Sequence, residues 1–296
     1  MSTPQPGILA PVPRCARLLE LDLAHGADPR AVRDLLATWQ VDGDLLVGIG
    51  QPLVRALGVD LPGLRLHPLH VGADGVEVPS TPTGLWLRVS GPDRGEVLHR
   101  ARRLLHGLGP SVQVSRVIDC FVYREGDDLS GYEDGTENPV GDAAEAAALC
   151  MVPGLEGSSF LAVQQWVHDL DRLESFSQEQ RDHTFGRRHE DNEELDDAPP
   201  SAHVKRAAQE SFTPTALVLR RSMPWTDGHR DGLVFLAFGR SFDAYEAILH
   251  RMVGGEDGIS DALFTFTRPR TGAFFWCPPL RDGRLDLSAL AGRSQT

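Results

Sequence analysis

The chain has 296 residues, 41% of them hydrophobic and 24% charged, which are the proportions of a folded globular protein rather than a disordered one. Forty-two acidic against 29 basic residues leave a net charge of −13, so the summed field repels phosphate backbones, and neither nucleic acid nor a membrane surface is an expected partner. No apolar run approaches the roughly 20 residues of a membrane span, the start lacks an export signal, and Cys15, Cys120, Cys150 and Cys277 are too scattered for a C-x-x-C site; the expectation is a cytoplasmic protein with reduced thiols.

In chain order, one pattern occurs four times: a run of strand length, a break, then an amphipathic stretch. Arg17 to Asp22 reads as a strand and Asp28 to Trp39 as a helix, with Asp28 as cap and Pro29 in its first turn. Gly84 to Val89 then leads into a helix over Arg94 to Leu108. In the later half Ser159 to Val167 precedes a helix over Asp169 to Glu179, and Gly232 to Phe238 precedes one over Phe242 to Met252. The similar spacing in the two halves predicts an α+β fold of tandem ferredoxin-like domains, each an antiparallel sheet with helices packed on it. A single α/β barrel competes, but it needs about eight strand-helix units. Asn138-Pro139 and the small-residue stretch up to Leu149 mark the boundary, giving domains 1–140 and 141–296.

Three strings carry candidate chemistry. Gly131-Tyr132-Glu133-Asp134-Gly135-Thr136-Glu137-Asn138-Pro139 has the composition of a tight, exposed connection. Asp134 there either bonds the amides of its own turn or stands over a cavity as an acid-base group. His203 follows Pro199-Pro200, and Arg220 and Ser222 alternate with Leu219 and Arg221 at the end of a short strand. The acidic run Glu190, Asp191, Glu193, Glu194, Asp196, Asp197 reads as solvated loop, since it lacks the order of a calcium loop.

The stretch from GYEDGTENP through SSFLAVQQWVHDL, FGRRHEDNEELDDAPPSAHVKR and LVLRRSMPW to RPRTGAFFWCPP resembles the DyP-type (dye-decolourising) haem peroxidases, in particular their bacterial branch without export signals (B/P type). The likeness is densest from Ser130 to Pro279 and fainter in QPGILAPVPRCARLLELDL. It implies the dimeric α+β barrel fold, non-covalent haem b held mainly by the second module, and self-association into a homo-oligomer. It also implies that hydrogen peroxide is reduced through a ferryl intermediate while phenolic or dye-like donors are oxidised. Carried over residue by residue, His203 is similar to the proximal ligand of the haem iron, Asp134 and Arg220 to the distal pair, and Ser222 to a residue facing the same pocket. Arg187 resembles the arginine that meets a haem propionate, and Asp261 is the carboxyl to which the proximal histidine would turn.

Bulky donors would transfer electrons at an aromatic, for which Trp86, Trp166, Trp225, Trp276 and Tyr132 are candidates. The distal wall would draw on the strand where Val234, Leu236 and Phe238 share a face, although the face that meets haem is open at this stage. Leu285 to Arg293 is faintly similar to the tails by which some relatives enter a protein shell. Two other readings compete: a haem-handling protein with incidental peroxidase activity, and a haem-free protein whose acidic run binds a divalent metal.

Overall fold

Two copies of one β-α-β-β-α-β unit follow each other in the chain, whose computed structural model describes residues 2–72 and 74–291. The first copy comprises β1 (Cys15–Leu23), α1 (Pro29–Ala37), β2 (Leu45–Gly50), β3 (Leu85–Gly91), α2 (Arg94–Leu108) and β4 (Val112–Phe121). As read from the sequence, the Asp28 side chain accepts from the Arg30 N–H and Pro29 sits in the first turn of α1. The connection that contains position 140 carries α3 (Asp142–Ala148).

The second copy begins with β5 (Ser159–His168) and two short helices, α4 (Leu170–Glu174) and α5 (Gln178–Phe185). The single helix expected over Asp169 to Glu179 is broken because Ser177 and Gln180 form a capping box that starts a new helix. Then follow α6 (His203–Ala207), β6 (Leu219–Arg220), β7 (Met223–Thr226), β8 (Asp231–Gly239), α7 (Asp243–Met252), β9 (Thr267–Pro269) and β10 (Ala273–Cys277).

All strand pairs of the main sheet are antiparallel, in the order β9-β5-β10-β2-β3-β1-β4-β7-β8-β6. An additional β5–β8 pairing closes it into a ring. β6 and β7 are successive stretches against β8, and β9 and β10 are successive stretches against β5. Each unit thus has the strand order of a ferredoxin-like sheet. The units join where Cys120 meets Trp225 and where Phe275 meets Gly50. Barrel closure comes from antiparallel edges, not from the parallel strand-helix units of the competing α/β reading.

The period of two then sorts the apolar residues into two cores. Leu18, Leu46, Trp86, Leu236, Phe238 and Phe275 fill the inside of the ring. Leu19, Leu87, Val32, Leu36, Val97 and Ala101 close the outer face of the first unit beneath its helices. Each fully buried Val, Leu or Phe side chain among them contributes about 1.5–3 kcal/mol. Among the described residues no helix is long and apolar enough to cross a membrane, and all four cysteines are free. Gly292 and Arg293, the end of the tail-like stretch, lie outside the described residues.

Candidate active site

A cavity of ≈ 330 Å³ lies on the outer face of the second unit. Its floor is set by strand parity: Gln164, Trp166 and His168 of β5 and Leu233 and Phe235 of β8 line it. Val234, Leu236 and Phe238 point the other way, into the ring, so the alternate face of that strand supplies the wall. Apolar side chains of α7, among them Ile248, Leu249 and Met252, close one side, and the loop from Asp128 to Glu137 bounds another.

His203 enters as the first residue of α6 and lines the cavity. Its Nδ1 lies 2.8 Å from Oδ2 of Asp261, whose side chain is fully buried. The other oxygen of Asp261 accepts from the Leu263 N–H at 2.9 Å, which fixes the carboxylate while it orients the ring. A carboxylate on Nδ1 makes Nδ1 the protonated nitrogen and leaves Nε2 with its lone pair, the arrangement that suits an imidazole ligand.

Gly186 brings Arg187 to the same place. It ends α5 at φ +81°, and a Cβ there would lie 2.3 Å from Val204 and 3.1 Å from Ala202, so only glycine lets the helix end pack against α6. Arg187 then lines the cavity, with Nη1 donating to the Asn192 carbonyl at 2.9 Å and Nη2 to Glu137 Oε1 at 3.0 Å.

Asp134 and Arg220 both line the cavity. The Asp134 carboxyl bonds none of its turn amides, unlike Asp128 earlier in the loop, whose Oδ2 accepts from the Ser130 N–H of its own turn at 3.0 Å. Among the described residues neither the Asp134 carboxyl nor the Arg220 guanidinium has a protein partner, and Arg220 Nε is buried without one. Charged groups left unpaired in a sheltered site are costly unless a ligand or water completes them. The pairing that the sequence reading implied between these two is therefore a shared cavity, not an ion pair.

Ser222 departs from expectation. Register puts it on the same side of the strand as Arg220, but it is absent from the cavity wall, and its buried Oγ has no partner. Phe235, opposite it by register, takes that stretch of wall.

One lining pair escaped the sequence reading. His168 Nε2 lies 3.1 Å from Asp128 Oδ1 and its Nδ1 2.6 Å from Thr267 Oγ1. Burial works to raise the Asp128 pKa, but the facing His168 and the Ser130 donors outweigh it and hold the carboxyl below its usual range. The alternation Gln164, Trp166, His168 could have flagged this histidine; nothing local pointed to Asp128.

Of the five candidate aromatics, Trp86, Trp225 and Trp276 are core residues, whereas Trp166 and Tyr132 line the cavity. Tyr132 stacks on Phe185 at 3.9 Å and donates to Asp182; burial and that carboxylate push its phenol pKa well up. The acidic run is engaged by basic neighbours: Arg188 binds Asp191 and Glu193, and Lys205 binds Glu194.

Residues 125–282 match the sequence profile of the family "Dyp-type peroxidase, C-terminal". The chain is 28% identical over 298 residues to the dye-decolorizing peroxidase of Rhodococcus erythropolis, covering 93% of this chain and 86% of that protein. It is 28% identical over 302 residues to the dye-decolorizing peroxidase of Mycobacterium tuberculosis, with 94% and 89% covered. Among solved structures, a variant of DypB from Rhodococcus jostii in complex with heme superposes with a TM-score of 0.83 at 25% identity over 92% of this chain and 94% of that one. A putative dyp-type peroxidase protein from Shewanella oneidensis shares the fold at a TM-score of 0.87 and 24% identity, with 94% and 97% covered.

Proposed function

The chain belongs to the Dyp-type peroxidase family, and from that premise we propose that it is a haem b peroxidase that reduces hydrogen peroxide and oxidises phenolic or dye-like one-electron donors. The observation that carries the reading is the pair of unpartnered charges, Asp134 and Arg220, on the same cavity as a histidine whose Nδ1 is held by a buried carboxylate. These residues fit a porphyrin. The cavity has apolar walls, one imidazole has its Nδ1 held by a carboxylate, and Arg187 on the cavity wall would meet an anionic edge by turning from Glu137.

Bound there, haem supplies an iron that takes up peroxide and exchanges electrons. His203 would hold the iron through Nε2, and Asp261, drawing on the Nδ1 proton, would raise the electron density of the ring. The Asp134 carboxylate would take a proton from one peroxide oxygen and return it to the other, directly or through one water. The Arg220 guanidinium, always charged, would stabilise the negative charge that grows as the O–O bond lengthens. Apolar side chains such as Leu233, Phe235 and Leu249 exclude water and strengthen both effects.

Substitution of the pair tests the proposal. Asp134→Ala and Arg220→Leu should keep the haem Soret band and lose about 10²-fold or more in peroxide turnover. Turnover at the wild-type rate in both variants with haem retained would overturn the roles given to them.

A further inference from the structure

Asp134 and Arg220 come from distant parts of the chain, and no contact between their side chains fixes one against the other. What ties the loop that carries Asp134 to the Arg220 backbone is Asn138. Its Oδ1 accepts from the Arg220 N–H at 2.8 Å, and its Nδ2 donates to the Arg220 carbonyl at 3.1 Å. The reason lies in the sheet. The Arg221 N–H donates to the Leu236 carbonyl, so alternation turns the N–H and C=O of Arg220 away from β8, to an edge of the sheet with no strand beside it among the described residues. The Asn138 amide, one acceptor and one donor side by side, stands in for the missing strand. The carbonyl has a second donor in Arg221 Nη1 at 3.0 Å, whereas among the described residues the N–H has no other acceptor.

The spacing within the loop serves this contact. Gly135 has φ +84°, its carbonyl accepts from the Asn138 N–H at 2.9 Å, and a Cβ on it would lie 2.8 Å from Asn138 Nδ2. A side chain at 135 would therefore push the amide off the strand. Pro139 in turn disfavours a helical backbone at Asn138. Asp134-Gly135 followed at 138 by Asn is thus one device: the carboxyl at its start faces the cavity, and the amide at its end grips the strand that carries the guanidinium.

We propose that Asn138 is a positioning residue that sets the Asp134 carboxyl and the Arg220 guanidinium at a fixed separation over the cavity; the inference rests on the peroxidase reading above. Charge stabilisation and proton transfer both fall steeply when groups are misplaced by about 1 Å.

The test uses the haem-loaded protein, comparing wild type, Asn138→Ala and Asn138→Asp at equal haem content by stopped-flow reaction with peroxide and, separately, by association of cyanide, which must shed a proton to bind iron. Asn138→Ala should keep the Soret band and slow both reactions by about 10- to 100-fold. Asn138→Asp, whose carboxylate still accepts from the Arg220 N–H while Arg221 Nη1 keeps the carbonyl, should recover part of that loss, the rest being the cost of a second carboxylate oxygen against the carbonyl. Wild-type rates in the Ala variant, an Asp variant as slow as Ala, or failure of the Ala variant to hold haem would each overturn the proposal. A wild-type protein that binds cyanide but is inert to peroxide would instead refute the peroxidase reading, and the cyanide rates would still judge Asn138.

Discussion

The two units share one strand order but treat the outer face of the sheet differently. In the first, α1 and α2 lie directly on the strands, and Val32, Leu36, Val97 and Ala101 fill the space above Leu19 and Leu87. In the second, the helix that would cover β5 is broken at Ser177, and the chain wanders from Gly186 to Val218 before the next strand. Over Gln164, Trp166 and Phe235 a cavity takes the place of packed helix. One copy of the fold is a support, and the other has an opened helix-sheet interface whose margins carry His203, Arg187 and Arg220. The first unit helps complete the site through the loop that follows its last strand, which brings in Asp134.

This division of labour can be broken at several points, with effects of decreasing size. Leu36→Ala, in the filled interface, should lower stability by about 2–5 kcal/mol in denaturant titration while leaving the Soret band of the folded fraction unchanged. A variant that lost haem without losing stability would contradict the separation.

A second point is the buried contact across the units, where His67 Nε2 meets the Tyr245 hydroxyl at 2.8 Å. Burial, with the nearby His70, depresses the His67 pKa to about 4. The unfolded chain, with a histidine pKa of about 6.5, then binds the proton that the folded protein refuses, so stability falls as pH drops through that window and levels off below it. The loss amounts to about 3 kcal/mol, and His67→Gln should flatten the pH-stability curve between those limits. An unchanged slope would show that His67 is not the group responsible.

The third point lies in the open unit. Asp261→Ala should weaken haem affinity by about 10- to 100-fold, because the ring of His203 loses the partner that orients it. Equal affinity in the variant and the wild type would remove Asp261 from the account.

Much of this is legible in the amino-acid sequence. The recurrence of strand and helix pointed to the two units; the three strings contained Asp134, His203 and Arg220, the family resemblance singled them out and added Arg187, and all four line one cavity. What escaped has physical causes. Alternation tells which residues share a face but not which layer that face meets, so Val234, Leu236 and Phe238 turned out to fill the ring while Phe235 lines the cavity and Ser222 does not. Closure of the ring depends on edge strands far apart in sequence, such as β2 with β10, and no local pattern reports such pairing. The His168–Asp128 contact and the Asn138 grip on Arg220 are likewise long-range, joining a loop to strands it does not adjoin in the chain.

The claim on which the rest depends is that His203 is the group through which this cavity holds haem iron. Titrating wild type and His203→Ala with haem b and recording the absorption spectrum tests it directly. The account predicts a saturating Soret band typical of histidine-ligated ferric haem in the wild type, and its loss or displacement in the variant. Identical spectra and affinities for the two proteins would contradict it.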